Sequence, residues 1–150
     1  MKLNLRLLSL AAPALMMLAC TPGPTLTQVF LTPTTLLDTQ VSTITITVHH
    51  DKGLDELVGA QLYNEDQSYW FGPLGEVSDG TFQTSIGWAE LHKAKPIQFD
   101  FPITRTLVVV VTDNDGITDE VSVELKLQCR VDQHACDGLC YPDSVDCSDV

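Results

Sequence analysis

The stretch Arg105–Cys129, RTLVVVVTDNDGITDEVSVELKLQC, constrains the fold more than any other part of this chain. Leu107–Val111 is apolar at every position, the pattern of a strand buried on both faces. Beyond an acidic turn, Val121, Val123, Leu125 and Leu127 alternate with Ser122, Glu124, Lys126 and Gln128, the period of two that marks a half-buried strand. An isolated hairpin is marginal in water, so this one requires sheet partners earlier in the chain.

The preceding sequence supplies them. Val41–His49 sets Ile44, Ile46 and Val48 on one face and Thr43, Thr45 and Thr47 on the other, and its β-branched content suits a pleated surface. Leu57–Asn64 groups Val58, Ala60 and Leu62, and Thr81–Ile86 groups Phe82, Thr84 and Ile86. Gln28–Leu31 reads as an edge strand. Tyr69–Phe71 reads as a short strand running into a Gly72-Pro73 turn, and Gly75–Gly80 as another turn. Trp88–Lys95 has helical spacing and stops at Pro96, after which Ile97, Phe99 and Phe101 alternate up to Pro102. Short strands separated by turn signals, with one short helix, predict an all-β antiparallel two-sheet sandwich over residues 28–128. Both tryptophans and most phenylalanines are expected between the sheets.

The hairpin also carries a resemblance. Val109, Val111, Thr112, Asp113, Asp115, Gly116 and Asp119 follow V-x-V-T-D-x-D-G-x-x-D, and the segment is similar to the last hairpin of PKD-type and related bacterial immunoglobulin-like domains. The resemblance covers the hairpin well and the earlier chain only in strand pattern. It implies an immunoglobulin-like β-sandwich of about seven strands.

Both ends of the chain point to export. Lys2 and Arg6 precede the apolar stretch Leu7–Leu18, a signal-peptide pattern too short to span a bilayer. Met17-Leu18-Ala19-Cys20 resembles the lipobox of bacterial lipoprotein precursors, which implies cleavage before Cys20 and lipid on its thiol; Thr21, in place of Asp, favours the outer membrane. Several acyl chains would make a lasting anchor where one would not. Residues 1–19 are thus the expected signal peptide and residues 20–27 the lipidated N-terminus and tether. The tail, residues 129–150, holds Cys129, Cys136, Cys140 and Cys147, and in an oxidising compartment two disulfides follow. Three pairings are open; the interleaved one, Cys129 with Cys140 and Cys136 with Cys147, is favoured, although spacing does not select it. Domain and tail together are similar in style to bacterial lipoproteins that end in a short cysteine-rich segment.

Loss of residues 1–19 removes two basic residues and no acid, taking the net charge from −12 to −14. Such a surface repels nucleic acid and keeps a domain soluble. Asp113, Asp115 and Asp119 crowd one turn, but Gly116 directly follows the second acid and no twelfth-position Glu exists, so turn chemistry is preferred to calcium. His49 and His50 are adjacent on a strand and face opposite ways, while His92 and His134 are distant, so the histidines do not suggest a zinc site. No G-x-S-x-G elbow occurs. Tyr69, Trp70 and Phe71 cannot all face one core, which makes them candidates for a ligand platform as well as for packing. The expectation is a non-enzymatic, lipid-anchored envelope protein without cofactor, acting as a binding or structural module toward a protein or glycan. A periplasmic or surface enzyme with a carboxylate site in its loops is one alternative. An accessory subunit of an envelope assembly, revealed by a broad apolar patch, is another.

Overall fold

The structure is a computed structural model that describes residues 22–97 and 103–149. The expected signal peptide, Cys20 and the Phe99–Phe101 part of the expected strand lie outside these residues. Among the described residues ten strands and one α-helix follow in chain order: β1 Pro24–Thr32, β2 Thr35–Leu36, β3 Val41–His50, β4 Leu57–Asn64, β5 Trp70–Ser78, β6 Thr81–Gly87, α1 Trp88–Ala94, β7 Ile103–Asp113, β8 Thr118–Leu127, β9 Gln133–Cys136 and β10 Leu139–Pro142. Eight of the strands form one ladder in the order β1-β3-β6-β5-β4-β7-β8-β2, and β9 pairs with β10 in a separate hairpin.

The ladder turns a corner at β5. Residues 70–74 pair with β4, and Gly75 onward pairs with β6. Its two ends then approach each other, where the Leu26 backbone N–H donates to the Asp119 carboxylate across 2.7 Å. Among the described residues all pairings are antiparallel except that of the short β2, which lies parallel to β8. The described residues are therefore mostly β, with one short α-helix and a disulfide-rich C-terminal region.

Alternation places the core as the sequence predicts. Ile44, Ile46 and Val48 of β3 are buried together with Leu62 of β4, Phe82 and Ile86 of β6, Leu107, Val109 and Val111 of β7, and Leu125 and Leu127 of β8. Val108, on the other face of β7, is also buried, flanked by its cross-strand partners Tyr63 and Ser122. In α1, Trp88 and Leu91 point to the core, and the Glu90 carboxylate accepts the Gly87 N–H at the helix start.

Several expectations are corrected. Gly72-Pro73 does not end a strand, and most of the segment expected as a turn from Gly75 to Gly80 is paired; only Asp79 and Gly80 turn. Proline is tolerated there because β5 has only β4 beside it at that point, leaving one edge free. Val58 does not join Ala60 and Leu62, since the register slips between Leu57 and Gly59 and leaves Val58 66% exposed. Trp70 and Phe30 lie outside the core, at 57% and 56% exposure. β1 begins at Pro24, inside the segment read as tether, so part of that segment is an edge strand paired with β3.

Candidate functional site

Three places hold chemistry-bearing side chains: the acidic turn after β7, the aromatic start of β5, and the tail hairpin.

At the acidic turn the loop Asn114-Asp115-Gly116-Ile117 joins β7 to β8, with Gly116 at φ 78°, a conformation glycine adopts freely. Asp113 is buried. One of its oxygens accepts the N–H groups of Asp115 (2.9 Å) and Ile117 (2.8 Å), and the other faces His50 Nε2 at 3.3 Å. His50 sits in the inward row of β3 with Ile44, Ile46 and Val48, and both side chains of the pair are 1% exposed. The Lys52 N–H donates to His50 Nδ1, so that nitrogen is an acceptor and Nε2 carries the proton given to Asp113. Burial works to raise the Asp113 pKa, but hydrogen bonds from the Ile117 N–H, His50 and the Asp115 N–H outweigh it and hold the carboxyl below its ordinary value.

The other acids of the turn are engaged as well. Asp115 pairs with Lys52 Nζ at 2.7 Å, and this bond, stronger than the opposing effect of desolvation, raises the lysine pKa. Asp119 accepts the N–H of Leu26 through one oxygen and that of Glu120 through the other. Asp113, Asp115 and Asp119 thus face different partners. His49 turns outward to Asp51, opposite in direction to His50, as adjacent strand residues must.

At the start of β5 the three aromatics separate. Phe71 packs on the core, and the rings of Tyr69 and Phe71 lie 5.2 Å apart, tilted by 59°. Trp70 faces out, its indole N–H donating to Gln61 Oε1 at 2.7 Å. Along the sheet Trp70, Tyr63, Val108 and Ser122 are successive cross-strand partners and share that outer face. Tyr69, Trp70 and Phe71 line a shallow groove of about 300 Å³ against Glu90 and Lys93 of α1. On the other side of Phe71 a pocket of about 210 Å³ reaches Arg105, whose guanidinium donates to the carbonyls of Lys95 and Pro96. Burial lowers the pKa of that guanidinium.

The tail carries both disulfides, Cys129–Cys140 and Cys136–Cys147, the interleaved pairing. Asp137 (φ 44°) and Gly138 (φ 82°) make the two-residue turn between β9 and β10, a turn that needs positive φ at both positions. The Gly138 carbonyl accepts the Trp88 indole N–H at 2.8 Å, which docks the tail on α1. A side chain at Gly138 would meet His92 and the Ile97 carbonyl. His134 faces Asp143 at 3.5 Å, and a ring nitrogen of His134 lies within 4.8 Å of the sulfurs of Cys136 and Cys147. Both sulfurs are consumed by the disulfide.

Sequence reasoning identified the turn acids, the aromatics and the cysteines. It missed the His50–Asp113 pair, whose members are 63 residues apart, and the contact of Trp88 with Gly138. It also missed the tail hairpin, although Asp137-Gly138 is a turn signal that was present to be read. Among the described residues no helix is long and apolar enough to cross a membrane. No protein-family model matches the chain, and no curated protein matches it either.

Proposed function

We propose that this chain is a non-enzymatic, lipid-anchored envelope protein of bacterial lipoprotein type, in which an immunoglobulin-like domain presents the aromatic start of β5 to a ligand outside the membrane. The observation that carries the binding role is Trp70. The indole is 57% exposed and, with Tyr69 and Phe71, lines a groove against Glu90 and Lys93, an aromatic and polar lining that supports contact with another molecule. The ligand class is a glycan or protein segment that can lie against an aromatic ring.

The strand order supports the immunoglobulin-like reading. β1-β3-β6-β5 corresponds to the strands ABED and β4-β7-β8 to CFG, with β5 crossing from one sheet to the other. The lipobox-like Met17–Cys20 supports the anchor, and two disulfides support export to an oxidising compartment. The enzyme alternative draws little from the one buried histidine: His50 is enclosed against Asp113, and neither residue lines the groove, the pocket beside Phe71 or the cleft of the tail. The accessory-subunit alternative would need a continuous apolar patch, whereas Phe30, Val41, Val58, Trp70 and Val77 are spread over four strands.

Co-sedimentation with purified cell-envelope material tests the site. Trp70→Ala is expected to lose binding and leave the melting temperature unchanged. Undiminished binding by the variant would remove this groove from consideration. A loss of stability of about 3–5 kcal/mol, the size that follows truncation of a core aromatic, read as a lowered melting temperature, would show that Trp70 is a packing residue.

A further inference from the structure

We propose that Cys136–Cys147 is an exchangeable disulfide, opened by a neutral or cationic thiol with His134 as proton donor, while Cys129–Cys140 is structural. This stands independently of the ligand groove. The two bonds sit in different surroundings. Cys129 and Cys136 are equally buried, so the difference lies in their partners: Cys140 packs against the core. Cys147 is exposed and lines an open cleft of about 440 Å³ with His134, Asp143 and Asp146.

The groups that exchange requires are gathered there. A ring nitrogen of His134 lies within 4.8 Å of both sulfurs, and Nδ1 of the ring faces Asp143 Oδ1 at 3.5 Å. Asp146 is on the same cleft, and Tyr141 is the cross-strand partner of His134 on β10. Exchange proceeds by attack of a thiolate on one sulfur with departure of the other as thiolate. The incoming thiolate bonds to the accessible Cys147 Sγ, the S–S bond breaks, and its electron pair passes to Cys136 Sγ, which takes the proton from His134. With a dithiol, the second thiol loses its proton and attacks the mixed disulfide, releasing the Cys147 thiolate. The reagent leaves as a cyclic disulfide, oxidised by the two electrons that reduce the cysteine pair. Asp143 and Asp146 on the rim repel an anionic thiol, which restricts the partner to neutral or cationic ones. Opening is local, because Cys129–Cys140 continues to tie β10 to the end of β8.

The test is timed reduction of the folded, oxidised protein by dithiothreitol at neutral pH, with alkylation quench and mass mapping of each cysteine. Cys136–Cys147 is expected to open at least about tenfold faster than Cys129–Cys140. His134→Gln is expected to slow the first bond by about tenfold or more, as for loss of a positioned acid, without changing the second. Opening of both bonds at one rate in the wild type, or an unchanged rate at Cys136–Cys147 in the variant, would overturn the assignment. If the variant loosens the tail, seen as faster opening of Cys129–Cys140, Asp143→Asn takes its place. It keeps the imidazole and removes the carboxylate that the ring faces; selective slowing supports the proposal, and an unchanged rate overturns it.

Discussion

Asp113 accepts two backbone N–H groups and the His50 ring proton at once, so its ionised form is built into the turn that ends β7. Because its pKa is below the ordinary 3.8 in the folded chain, its stabilising contribution is complete well above that value and is lost as pH falls through the folded value. Melting temperature followed from about pH 6 down to about pH 3 should therefore fall more steeply for the wild type than for Asp113→Asn, which should already be less stable at neutral pH. Parallel curves would place the acid sensitivity elsewhere. Sequence could show that Asp113 belongs to a turn, because Asp followed by Asp-Gly is local chemistry. It could not show the histidine partner: the inward phase of His50 on β3 was legible, but what lies opposite depends on the sheet closing.

At the scale of elements, β5 shows where reading along the chain fails. Gly72 and Pro73 are breakers in any local scheme, yet the strand continues because each half of it has a neighbour on one side only. Strands that keep one neighbour on each side, such as β3 and β4, match their expected bounds nearly to the residue; on β3 alternation records burial directly, whereas on β4 the slip at Val58 interrupts it. The tail hairpin makes the complementary case, its position being fixed by the Trp88–Gly138 hydrogen bond together with the Cys129–Cys140 disulfide, both between residues distant in the chain or in different elements. Gly138→Val should strain a positive-φ turn and push against Ile97 O and His92, at a cost of about 1–3 kcal/mol, read as a lowered melting temperature. A control Gly75→Val, at a glycine without positive φ whose nearest atom to an added Cβ is 3.9 Å away, should be milder.

At the scale of the molecule, the described residues form an eight-stranded ladder bent at β5 around a shared core, with the tail stapled to it by Cys129–Cys140. Leu62→Ala should cost about 2–5 kcal/mol, since its side chain is fully buried in that core, and urea unfolding would register it as a lower midpoint with an unchanged slope. Sequence conveyed the β class, the helix and the tail, and it did not convey how far the two ends of the ladder approach, because the Leu26–Asp119 contact joins residues 93 apart. The central claim joins that domain to a membrane through Cys20. Intact-mass measurement of the mature protein from the membrane fraction of expressing cells tests it most directly, with Cys20→Ser alongside. The expected mass is that of a chain beginning at Cys20 with acyl groups added, and the variant should lose both the added mass and the membrane association. An unacylated chain of any starting residue, or a Cys20→Ser variant that still partitions with membranes, would contradict it.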